Sequence, residues 1–202
     1  MDEQTVETYS TDASRFAAEW RDQPPPMDMY ALLQRYFMPG GKTADVGCGA
    51  GRDVAWLNEH DFPAVGYDAA KGLLALAAND FPSLVFKHTT LPALDAVGTD
   101  TYDNVLCETV IMHLPPDQVT VACARLFEML KPAGTLYLSW RVAEADSTRD
   151  AAGRLYAAFD VARVREGLGD AEFLLDVEAV NESSGRRVHR LIVRRKTTLS
   201  DR

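Results

Sequence analysis

The stretch Ala44-Asp-Val-Gly-Cys-Gly-Ala-Gly-Arg-Asp53 sets a glycine at every second position, Gly47, Gly49 and Gly51. Glycine adopts backbone conformations that other residues avoid, and it lets a ligand lie directly against the chain. A plain tight turn rarely demands three glycines in five residues. The apolar run 42–46 before the loop reads as a strand, and 52–60 after it reads as a helix. The loop therefore joins a strand to a helix whose first N–H groups are unpaired. In an open α/β sheet ligands gather at that carboxyl end of a strand, so the loop is expected to cradle a nucleotide-like ligand.

A dinucleotide fingerprint reads G-x-G-x-x-G. Here the third glycine of that pattern is replaced by Arg52. In the dinucleotide arrangement a pyrophosphate sits at the helix start and the third glycine allows close helix–strand packing. Arg52 conflicts with that arrangement. The next apolar run, 64–68, ends in Asp68, 21 residues past Gly47, the position of a ribose-binding carboxylate. A carboxylate there accepts hydrogen bonds from both ribose hydroxyls; its other reading is a cap for the following helix.

The remaining chain continues the strand–helix rhythm. Strands are expected over 84–88, 102–108 and 135–140, with helices over 70–79 and 116–130. The last of these carries Val119, Ala122, Cys123, Leu126, Phe127 and Leu130 at helical spacing. Such alternation predicts a Rossmann-like α/β fold, a mostly parallel sheet with helices on both faces. A helix is expected over 151–166, then strands over 172–180 and 187–195. The six residues between those strands are too few for a parallel crossover, so the pair must be antiparallel. The full sheet is therefore expected to hold seven strands, the last one antiparallel. Upstream, helices are expected over 11–21 and 27–38, giving an N-terminal helical lid over 1–40 and a core over 41–202, one structural domain overall.

Bulk properties narrow the function further. The 202 residues carry a formal charge of −9, which disfavours nucleic acid as partner because phosphates need a basic face. A local cluster, Arg186, Arg187, Arg190, Arg194, Arg195 and Lys196, reads as a solvated edge strand. Cys48, Cys107 and Cys123 form no ligand spacing, so neither a metal site nor a disulfide framework is expected. No apolar leader or membrane-length run is present. These features predict a cytoplasmic protein, monomeric or homodimeric, with no membrane partner.

From about residue 42 to 195 the chain resembles the class I S-adenosylmethionine-dependent methyltransferases of small-molecule type. The resemblance rests on Asp45-Val-Gly-Cys-Gly-Ala-Gly51, Asp68, the segment from Tyr102-Asp103 to His113-Leu-Pro-Pro116, Arg141 after the fifth strand, and the closing antiparallel pair. It extends to the methyltransferase 11, 12 and 25 groups and the tellurite-resistance-like group. It implies S-adenosyl-L-methionine as cofactor, S-adenosyl-L-homocysteine as product, and a small-molecule methyl acceptor without a metal. Contacts to the cofactor are then expected from Asp45, Gly47, Cys48, Gly49, Gly51 and Arg52 in the loop. Asp68 and Ala69 would serve the ribose, Thr90 and Leu91 the adenine, and Glu108 and Tyr9 the reacting end. Relatives often carry an acid at the adenine position, where this chain has Lys87-His-Thr-Thr-Leu91.

Cys107-Glu-Thr-Val-Ile-Met-His113 leaves the fourth strand beside the expected methyl position. It lacks the Pro-Pro motif of amine and amide methylation. His113 is the candidate base or acceptor-orienting group, or a histidine that fastens this outlet. Tyr9 resembles the entry tyrosine of small-molecule methyltransferases; Phe16 and Trp20 read as core by spacing. Arg141 and Arg149 flank the cleft as candidates for an anionic substrate or as surface arginines. Two rival classes share the loop: an NAD(P)-dependent oxidoreductase, and a catalytically silent cofactor-binding regulatory domain.

Overall fold

The computed structural model describes residues 1–95, 97–143 and 146–197. Residues 198–202 of the expected core lie outside that set. Helices α1 (Glu3–Thr11), α2 (Ala13–Arg21) and α3 (Met27–Tyr36) precede the sheet. The core then runs β1 (Thr43–Val46), α4 (Arg52–Glu59), β2 (Ala64–Asp68), α5 (Lys71–Asp80), β3 (Val85–His88) and β4 (Tyr102–Cys107). It continues with α6 (Val119–Glu128), β5 (Leu130–Arg141), a ribbon of β6 (Thr148–Arg149) and β7 (Leu155–Tyr156), α7 (Val161–Leu168), β8 (Glu172–Val180) and β9 (Arg187–Arg194).

Seven strands form one sheet in the order β3-β2-β1-β4-β5-β9-β8. The first five run parallel, and β9 is antiparallel to both β5 and β8. This is the expected Rossmann-like sheet with its reversed last strand. Strand order reverses between β1 and β4, so their carboxyl ends diverge and open a crevice there. One face of the sheet buries Val105, Leu136, Leu138 and Leu191 under α6 and α7. The other packs Leu106, Tyr137 and Ile192 against α3 and α4.

Three local expectations are corrected. The helix expected over 11–21 begins at Ala13, and a separate helix, α1, precedes it, capped by Asp2, whose side chain accepts from Thr5 N–H at 2.9 Å. Asp12 then breaks the chain from α2 with φ −96° and ψ 22°. Residues 151–156 are not helical: Asp150 accepts from the N–H groups of Ala152 and Arg154, and Gly153 turns with φ +87°. The ribbon results, and α7 starts only after Asp160 caps it. The arginine cluster does not lie on an edge strand. Arg187, Arg190 and Arg194 lie on β9, inside the sheet, and the others flank it; Arg190 is 4% exposed and paired with Asp28. Carboxylates also meet Arg187, Arg194, Arg195 and Lys196 within 4.0 Å.

Candidate active site

The turn after β1 is held by two N–H groups, Gly47 and Cys48, donating to the Tyr67 carbonyl at 2.7 and 3.0 Å. All three loop glycines have positive φ. A Cβ on Gly47 would lie 2.1 Å from Val110 Cγ2, and one on Gly49 3.1 Å from the Trp20 ring. The first is incompatible with the β4 outlet, so the backbone there can be occupied only by glycine. Trp20 therefore reaches the loop, whereas Phe16 is fully buried. The two aromatic residues of α2 part company: one is core, the other lines the site.

Asp68 ends β2 and faces back to the loop. Its Oδ2 accepts from Gly49 N–H and its Oδ1 from Ala70 N–H, both at 2.8 Å. The carboxylate thus fixes the loop and caps the next segment, with lone pairs left over for a ligand. Asp45 lies beneath, 3% exposed, and its Oδ2 has no hydrogen-bond partner among the described residues. Burial pushes its carboxyl well above the usual range, and Asp53, Asp68 and Glu108 add repulsion. Burial likewise raises Asp68 and Glu108.

Around the helix start, Arg52 forks onto Asp53 through Nε at 2.9 Å and Nη2 at 3.1 Å, and Tyr30 donates to the same carboxylate at 2.7 Å. Glu108 leaves β4 held by Asn181 at 2.9 Å and by Ser139. Thr109, next in line, has φ +53°, a strained conformation for a β-branched residue. Cys48 is a buried thiol, its pKa raised by burial. Among the described residues no cluster of metal-ligating side chains occurs.

These groups border one cavity of about 610 Å³, a size that suits a small molecule. Gly47, Cys48, Gly49, Arg52, Asp68 and Ala69 line it; Leu91, Glu108, Tyr9 and His113 do too. Gly51 anchors the turn as the residue preceding α4, and Asp45 lies under the lining. At the β3 exit Thr89, rather than Thr90, lines the cavity beside Leu91. Asn181 and Ser183, from the β8–β9 connection, together with Arg154 and Tyr156 from the ribbon, also reach it. Nothing local in the sequence signals these four, since long-range packing brings them in.

The chemistry of the loop end selects its ligand. Asp45, Asp53, Asp68 and Glu108 surround it, with Arg52 tied to Asp53. A pyrophosphate at this helix start would meet carboxylates, while a cationic ligand group would be attracted and would satisfy Asp45. The residues therefore fit a cofactor carrying amino and sulfonium charges and disfavour a dinucleotide.

Comparison with known proteins agrees. Residues 44–134 match the family model described as "Methyltransferase domain". A ubiquinone biosynthesis O-methyltransferase of Hahella chejuensis is 29% identical over 119 residues, 56% of this chain and 49% of that protein. The chain spans about half the length of the curated relatives it matches. The 1,6-didemethyltoxoflavin-N1-methyltransferase of Burkholderia thailandensis, solved with S-adenosylhomocysteine and 1,6-didemethyltoxoflavin, has a similar structure: TM-score 0.75, 19% identity, 96% of this chain and 88% of that one. A methyltransferase of Methanosarcina mazei gives TM-score 0.71 at 16% identity, over 82% of this chain and 97% of that one. The matched segment begins inside β1, just before the glycine loop, and ends inside β5. With that segment set in this sheet, residues 44–134 carry a methyltransferase domain, and the fold is the one shared by S-adenosylmethionine-dependent methyltransferases.

Proposed function

We propose that the protein moves a methyl group from S-adenosyl-L-methionine to a small-molecule acceptor by direct displacement, leaving S-adenosyl-L-homocysteine. The observation that carries this reading is the unpartnered, buried Asp45 carboxylate among three further acids at the glycine loop. Asp45 and Glu108 hold the amino-acid end, with Gly47, Cys48, Gly49, Gly51 and Arg52 along it. Asp68 and Ala69 receive the ribose, and Thr89 or Thr90 with Leu91 bounds the adenine. Tyr9 and Trp20 close the cavity from the N-terminal helices, which act as a lid. The relative solved with S-adenosylhomocysteine supports the same cofactor.

When bound, that cofactor supplies an already activated methyl group. The chain's own task is then alignment, which is worth several kcal/mol of a displacement barrier. A net charge of −9 favours a small-molecule acceptor over nucleic acid. Among the described residues no helix is long and apolar enough to cross a membrane; a cytoplasmic monomer or homodimer completes the proposal.

Thermal melting tests it. S-adenosylhomocysteine at about 100-fold its dissociation constant stabilises a single-site protein by about 2.7 kcal/mol, and S-adenosylmethionine is expected to act likewise. NAD(H) is expected to leave the melting temperature unchanged. A shift with NAD(H) and none with either adenosyl ligand overturns the reading in favour of an oxidoreductase. Labelled methyl transfer across an acceptor panel separates an enzyme from a silent binder.

A further inference from the structure

The cavity is electrostatically divided. Its glycine-loop end is acidic, as described. At the other end Arg141, the last residue of β5, and Arg154, in the ribbon turn, both border the same space. The Arg141 guanidinium lies 5.2 Å from the Tyr156 ring centroid, and that of Arg154 lies 4.5 Å from the ring of Phe16. Arg154 is committed: it pairs with Asp150 at 2.6 Å and donates to Tyr9 Oη at 3.0 Å. Among the described residues no carboxylate lies within 4.0 Å of Arg141. Arg149, the other arginine singled out from sequence, pairs instead with Asp2 at 2.7 Å and does not line the cavity.

His113 completes this end and explains why the charge matters. Its Nδ1 donates to the Leu155 carbonyl at 2.5 Å, which leaves Nε2 to accept from Tyr9 Oη at 3.1 Å. Both ring nitrogens are thus occupied. Burial above all, with Arg154 and Arg141 adding to it, lowers the histidine to about 4. Tyr9 is pushed up to about 12 by burial. Among the described residues, this end of the cavity thus offers aromatic walls and positive charge, and neither His113 nor Tyr9 is a free base at neutral pH.

We infer that the methyl acceptor is a small organic anion with a flat or apolar body, and that Arg141 is the residue that selects it. The inference rests on the methyltransferase reading. An anionic acceptor offers its lone pair without first shedding a proton, so no base is needed. Its negative charge cancels the positive charge at sulfur as the methyl moves, and a neutral thioether and a neutral methylated product remain. Tyr156 and Tyr9 supply the flanking surface, and Arg154 holds Tyr9 and His113 in place as a positioning residue.

Calorimetric titration of the whole protein, saturated with S-adenosylhomocysteine, tests this with benzoate and benzamide as matched probes. Benzoate is expected to bind at least about tenfold more tightly, the worth of one charged hydrogen bond. Arg141→Gln is expected to abolish that preference while S-adenosylhomocysteine binds as before. Equal affinities in the unaltered protein, binding of neither probe, or a preference that survives Arg141→Gln each overturns the inference. Failure of S-adenosylhomocysteine itself to bind strikes the cofactor reading instead, and it is read out before either probe is added.

Discussion

Asp45 shows how a single residue ties stability to ligand binding. Its carboxyl is raised by burial, so the folded protein holds that proton more tightly than the unfolded chain does. Stability contributed this way is present at acid pH and is lost as pH rises from the unfolded carboxylate range through the raised folded value. Asp45→Asn removes the cost. It is expected to raise the melting temperature of the ligand-free protein at pH 7, by about 2–4 °C per kcal/mol relieved. No gain is expected near pH 3, and S-adenosylhomocysteine binding is expected to weaken. Thermal melts at both pH values, with and without ligand, check this; a lower melting temperature at pH 7 would show that the carboxylate stabilises the free protein. At this scale the sequence exposed the glycines and Asp68, because their backbone demands and spacing are local. Thr109 at φ +53° and the pairing of Arg190 with Asp28 have no local signature.

Between elements, the decisive contact joins α1 to the ribbon. Thr5 Oγ1 donates to Asp2 at 2.7 Å and accepts from Leu155 N–H at 2.9 Å. Asp2 also receives Arg149, and Ala152 O accepts from Thr8. These bonds fix the short strand whose Leu155 carbonyl orients His113. Thr5→Val keeps the shape and removes both bonds, leaving the half-buried Leu155 N–H without its partner at a cost of about 1 kcal/mol. Amide hydrogen exchange is expected to show lost protection at Leu155 and Tyr156, with β1 and β4 unchanged. Retained protection at Leu155 would show that the ribbon holds itself. Elements with strong apolar periodicity were legible in advance: Val119, Ala122, Cys123 and Leu126 of α6 are all fully buried. The ribbon was not, because Leu155, Tyr156 and Phe159 mimic helical spacing while Asp150 and Gly153 impose a turn.

Across the whole molecule, the N-terminal helices and the sheet share one cavity. Trp20 meets Gly49, Gly72 N–H on α5 donates to Ser10 Oγ at 2.9 Å, and Tyr9 meets His113. Lid and core are therefore expected to unfold together. Far-ultraviolet circular dichroism and tryptophan fluorescence, which includes Trp20, should give coincident transitions in denaturant. An earlier fluorescence transition would mark the first 40 residues as a separate unit. The sequence by itself determined the α/β class, the parallel core with its reversed last strand, and the glycine loop, because hydrophobic period, connection length and glycine content act over short stretches of chain. Tertiary structure alone decided that four carboxylates converge at that loop, that Arg141 and Arg154 share the far end, and that His113 has no free nitrogen. Those are facts of distance and burial between residues up to 104 positions apart, and no local pattern encodes them.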